Sequence, residues 1–128
     1  MAHFILEYST NLTAADFQPR ELLAQIVECA VASGVFPRAG CRARAHPCDD
    51  YYIADGRADF AFVHLEVRLG AGRSAAEKSQ VQTALVELLE AYFQPLTERQ
   101  GLAISFEMSE LPEHKSNINN IRDYLDEA

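Results

Sequence analysis

Arg38, Arg42 and Arg44 fall within seven positions of a chain that is otherwise acidic. A guanidinium fork holds a carboxylate through two parallel N–H···O bonds, so such a cluster is suited to a small anion. The alternative is solvated surface charge, the common state of charged side chains. The same stretch, "CRARAHPCDD", sets Cys41, His46, Cys48 and Asp49 close together. Their spacing matches no standard zinc pattern. Strand alternation would also place Cys41 and His46 on opposite faces, so no metal is expected. The amino terminus is the third feature. "MAHFILEYS" is strand-like almost from its first residue, where chains are usually loose.

The elements that must position these groups follow from periodicity. The first strand is expected over His3–Ser9, followed by a polar turn region. Pro19 then opens a helix whose apolar stripe is Leu22, Leu23, Ile26, Val27, Ala30 and Val31, with Gly34 as its stop. "CRARAHP" alternates with period two, placing Cys41, Ala43 and Ala45 on one face and Arg42, Arg44 and His46 on the other. "DDYYIADGRAD" reads as a hairpin-like excursion around Asp55-Gly56. The plan then repeats. "FAFVHLEVRLG" is a strand with Ala61, Val63, Leu65, Val67 and Leu69 on one face and Phe60, Phe62, His64, Glu66 and Arg68 on the other. Ser74 and Glu77 form a capping box before a second helix, which Pro95 should kink or end. "LAISFEMSEL" is the last main strand, and "NINNIRDYL" a short amphipathic close.

This order predicts an α/β fold: tandem βαβ units forming a four-stranded mixed sheet with two helices on one face. A single domain is expected over residues 1–128, with halves at about 1–56 and 57–128. The other sheet face would carry Arg42, Arg44, His46, His64, Glu66 and Arg68 with Phe60 and Phe62 among them. Such a mixture suggests burial against further copies of the chain with its charges paired. His64 is expected to be hydrogen-bonded there, and His3 to pair with Glu7 or another acid.

Composition narrows the partners. The formal net charge of −8 argues against nucleic acid. No apolar run approaches the about 20 residues that span a bilayer, and the first ten residues lack a signal peptide's basic region. Three cysteines without a regular framework fit reduced thiols, and a cytoplasmic location is expected.

Taken together, "HFILEYS", "GVFPRAGCRARAH", "ADGRADFAFVHLEVRLGAGRS" and "LAISFEMSEL" resemble the 5-carboxymethyl-2-hydroxymuconate isomerase family of the tautomerase superfamily, over nearly the whole chain and in the same order. The resemblance implies a tautomerase-like fold assembled as a homotrimer. It also implies cofactor-independent proton transfer on a conjugated hydroxymuconate carboxylate in homoprotocatechuate catabolism. Its general base is an amino-terminal proline, exposed by removal of the initiator methionine, and arginines near the subunit boundary hold the carboxylates.

Carried onto this chain, the resemblance assigns Arg42 and Arg73 to substrate binding. Arg44 shares a strand face with Arg42, so it serves either the site or a structural ion pair. Around Arg73, the glycines of "GAGRS" would admit a ligand close to the backbone, and the helix start beyond suits an anion. At the proline position this sequence has Ala2. Its primary amine, with a reference pKa of roughly 7.7–8.0, would be lowered by desolvation and by neighbouring arginines. Removal of Met1 before so small a residue is expected; retention would move the amine out by about 3.5 Å. With the proline absent, two further readings stay open: a tautomerase with drifted substrate or low activity, and a non-catalytic carboxylate-binding trimer.

Overall fold

The computed structural model describes residues 1–125. Its elements are β1 (Ala2–Ser9), α1 (Pro19–Ala32), β2 (Cys41–Cys48), β3 (Ala61–Leu69), α2 (Ala75–Tyr92), the short α3 (Gln94–Thr97) and β4 (Leu102–Glu110). One-turn 3-10 helices lie at Arg38–Gly40 and Ile121–Tyr124. The sheet order is β2-β1-β3-β4. β1 pairs parallel with β2 and β3 parallel with β4, while β1 and β3 join the two βαβ halves antiparallel. The expected mixed four-stranded sheet is therefore present, with β1 one residue longer at its start than its periodicity indicated.

Alternation decides which face is covered. Ala2, Phe4 and Leu6 of β1 and Ala61, Val63, Leu65, Val67 and Leu69 of β3 are buried in one core. Leu22, Ile26 and Ala30 of α1 and Val81, Leu85 and Leu89 of α2 share it, each series spaced by four residues on one helical face. Pro19 stands in the first turn of α1, and Gly34 follows its end with φ +79°, a left-handed conformation that glycine adopts without strain. α2 opens with the reciprocal Ser74–Glu77 capping box. The chain breaks at Phe93, before Pro95, and α3 restarts with Leu96 anchored in the core.

Two local expectations are corrected. The excursion between β2 and β3 contains no strand pair: it is an irregular loop turned at Ala54–Gly56, where the Gly56 N–H donates to the Ile53 carbonyl at 2.8 Å. β2 and β3 cannot form a hairpin because β1 lies between them. Phe60 falls just outside β3, and its ring lies so close to Gly101 that a Cβ there would meet it at 2.6 Å. No helix among the described residues is long and apolar enough to cross a membrane.

Candidate active site

Parallel and antiparallel pairing bring four chain segments to one end of the sheet. Ala2 stands opposite Cys41 on one side and Leu69 on the other, and Leu69 stands opposite Glu110. Ala2 is only 2% exposed. The N–H of Gly70 donates to the Met1 carbonyl at 3.3 Å. That bond marks Ala2 and Leu69 as a non-hydrogen-bonded pair, so the Ala2 nitrogen faces away from β3 and toward the start of β2. Gly40 packs there: a Cβ on it would sit 3.5 Å from the Met1 nitrogen. The early start of the strand is thus explained by position, since β1 is an inner strand paired on both edges from its first residue.

Arg73 and Arg42 approach this end from opposite faces. Arg73 lies just before the Ser74 cap, on the helix side. Its guanidinium stacks 4.9 Å over Phe36, which meets Phe4 edge-on in the core. Its Nε donates to the Val35 carbonyl at 3.3 Å and its Nη1 to Gly70 at 3.0 Å. Arginine has five N–H donors, and Nη2, which has no hydrogen-bond partner among the described residues, could accommodate a small anion. The start of α2 is not such a site, because the Glu77 carboxylate of the capping box already accepts the Ser74 N–H at 2.9 Å. The guanidinium, not the helix terminus, is therefore the group with donors to spare here.

Arg42 projects from β2 onto the open face, beside His3 in register. Its Nη2 donates to Asn117 Oδ1 at 2.6 Å. Its Nη1 is buried without a hydrogen-bond partner among the described residues. Arg44 lies on the same face, with Nη1 3.1 Å from His3 Nδ1. Among the described residues His3 therefore pairs with Arg44 and not with Glu7 or another acid, the partner expected for it. Burial first, then the charges of Arg44, Arg42 and Arg68, hold its pKa below the usual histidine value. Register is the reason: Glu7 stands opposite His46 and His64, whereas His3 stands opposite Arg42 and Arg68. His64 is hydrogen-bonded as expected, to Ser105 at 2.6 Å, with Glu107 at 3.4 Å.

On the helix side Cys41 lies under the terminus, with burial pushing its thiol pKa up against the opposing charges of the amino terminus, Arg38 and Arg73. His46 points to the other face, so these two cysteine and histidine side chains do not converge. Asn117 was not singled out in the sequence. It lies 75 residues from Arg42 in an irregular segment, and no local pattern marks it.

Known proteins align with this arrangement. A family model for 5-carboxymethyl-2-hydroxymuconate isomerase matches residues 2–125. The chain is 41% identical over 111 residues to a 5-carboxymethyl-2-hydroxymuconate Delta-isomerase of Escherichia coli, covering 87% of each. It superposes on a 5-carboxymethyl-2-hydroxymuconate isomerase from Deinococcus radiodurans R1 with TM-score 0.89 and 36% identity, covering 96% of this chain and 92% of that one. Another solved 5-carboxymethyl-2-hydroxymuconate delta-isomerase shares the fold at TM-score 0.88 and 23% identity, covering 100% of this chain and 95% of the other. From its first strand to the segment that reaches Arg42, the chain belongs to the 5-carboxymethyl-2-hydroxymuconate isomerase family.

Proposed function

We propose that the protein is a cytoplasmic, cofactor-independent isomerase acting on 5-carboxymethyl-2-hydroxymuconate, with residues 1–128 as one tautomerase-like domain working in a homotrimer. The observation that carries this reading is the place of Ala2. It is a buried first strand residue whose nitrogen faces β2, with Arg42 on one side of the sheet and Arg73 on the other.

With Met1 removed, the Ala2 amine is the general base. Desolvation and the nearby guanidinium charges favour its neutral form, which can accept a proton near pH 7. The 2-hydroxyl O–H bond breaks, the proton passes to the amine, and the electron pair moves into the conjugated chain. A proton is then returned to carbon, leaving the ketone and the original amine. Arg42 and Arg73 hold carboxylates of the substrate and stabilise the negative charge that develops between the two proton transfers. Arg44, engaged with His3, takes a structural part.

Trimer formation rests on the open sheet face. Ile5 and Phe62 lie there among charged side chains, and Glu66 stands opposite Glu107 in register. Like charges directly opposite destabilise a sheet unless cations neutralise them, and a neighbouring copy offers Arg68 of the same face. The native mass in sedimentation is expected at three chain masses; a monomer would reject the trimer.

The activity is tested by following the hydroxymuconate spectrophotometrically, with intact mass confirming Ala2 as the terminal residue. Turnover above the uncatalysed rate is expected. Saturable carboxylate binding without turnover would reject the enzyme and leave the binding-protein reading. Turnover of only a different hydroxymuconate would identify drifted specificity.

A further inference from the structure

We propose that Asn117 is a positioning residue for Arg42, setting the guanidinium so that its buried Nη1 is presented to a substrate carboxylate. This inference rests on the reading of Arg42 as a substrate-binding residue. Three observations converge on it.

The first is the path of the chain after β4. Leu111 is held at the far side of the sheet, its N–H donating to Leu69 at 2.7 Å. Six residues later the chain has reached β2, where Asn117 meets Arg42. Crossing from β4 to β2 covers three strand spacings, about 14 Å, which six extended residues, at most about 20 Å, can span. The segment therefore crosses the sheet at the end where β1 begins, past Ala2.

The second is a double attachment. Asn119 Nδ2 donates to the Ala39 carbonyl at 2.8 Å, just before β2. Its Oδ1 accepts the Ile121 N–H at 2.9 Å, fastening the one-turn helix that follows. Ile118, between the two asparagines, is 100% exposed. Asn117 and Asn119 thus grip the β2 start, and the residue between them points to solvent.

The third is the state of the guanidinium. Asn117 takes Nη2 at 2.6 Å, while Nη1 is buried with no partner among the described residues. A buried donor on a charged group is costly to leave unpaired. A neutral amide acceptor fixes one arm without cancelling the charge, so the other arm keeps its full attraction for an anion. An aspartate would accept the same bond but would neutralise the arginine.

That difference supplies the test. Asn117→Ala, Asn117→Asp and Arg42→Ala are compared for KM and kcat on 5-carboxymethyl-2-hydroxymuconate. Calorimetric titration with adipate, a non-reacting dicarboxylate, supplies an affinity independent of turnover, and sedimentation with thermal melting verifies assembly and folding. Asn117→Ala is expected to weaken KM and adipate affinity by about tenfold, the size of one charge-assisted hydrogen bond's effect, with a smaller change in kcat. Asn117→Asp is expected to weaken both further, although it restores the tether and the melting temperature. In an Arg42→Ala background neither substitution should weaken binding again. Recovery of wild-type affinity in Asn117→Asp would overturn the proposal, because a mere tether would be rescued. Unchanged affinity in Asn117→Ala while Arg42→Ala binds weakly would also overturn it. Full adipate affinity in Arg42→Ala would instead remove the reading of Arg42 on which it rests.

Discussion

Arg73 and Met1 are joined through a single residue: the Gly70 carbonyl accepts Arg73 Nη1 at 3.0 Å, and the Gly70 N–H donates to the Met1 carbonyl at 3.3 Å. Arg73 and the amino terminus are therefore held in one hydrogen-bonded unit. Removal of Met1 deletes the acceptor for Gly70 and leaves the Ala2 nitrogen as the chain end, directed toward β2.

The first prediction concerns that nitrogen. Ala2→Pro, processed so that residue 2 is terminal, is expected to raise kcat substantially, because a sterically fixed secondary amine with lowered pKa is the better base. The Ala2 N–H faces away from β3, so the proline forfeits no bond on that side. Steady-state kinetics with intact-mass confirmation tests this; an unchanged kcat would show that the terminal amine is not the base.

The arginines should separate by their packing. Arg42→Ala and Arg73→Ala are each expected to lower kcat/KM by about tenfold to a hundredfold, the range for losing a hydrogen bond to a charged group. Arg73→Ala should also lower the melting temperature, since it loses the Phe36 stacking and uncouples the Val35 and Gly70 carbonyls. Kinetics paired with thermal melting distinguishes the two. Equal stability of both variants would contradict the structural part given to Arg73.

His3 makes stability depend on pH. Its folded pKa lies below the ordinary histidine value of 6.5, through burial and then the charges of Arg44, Arg42 and Arg68. The unfolded chain therefore binds the proton more readily, and stability falls as pH drops below about 6.5. His3→Gln should melt with a shallower loss between pH 7.5 and 5.5 than the parent protein. Parallel curves for the two proteins would refute this account.

Core packing supplies a stability prediction independent of the site. Leu65 is fully buried near the middle of β3, and Leu65→Ala is expected to cost about 2–5 kcal/mol. Ser74→Ala removes one half of the capping box and is expected to cost about 1 kcal/mol. Denaturant unfolding measures both; a loss at Ser74 equal to that at Leu65 would contradict the ranking.

Much of this molecule follows from local rules written in the residues themselves. The alternation in β1 and β3, the four-residue spacing in α1 and α2, the Ser74–Glu77 box and the Pro95 break each depend on neighbours only a few positions away. So does the sharing of one strand face by Arg42 and Arg44. Together they imply the mixed sheet, and the quoted segments carry the family resemblance. Strand pairing decided the rest, because it joins residues far apart in sequence. The insertion of β1 between β2 and β3 turned the expected hairpin into a loop and set His3 among arginines rather than beside an acid. It also placed Arg42 and Arg73 on opposite faces of the Ala2 end. The return of the chain from β4 to Arg42 through Asn117 has no local signature at all. One asparagine in an irregular segment acquires its meaning only from where the tertiary fold sets it down.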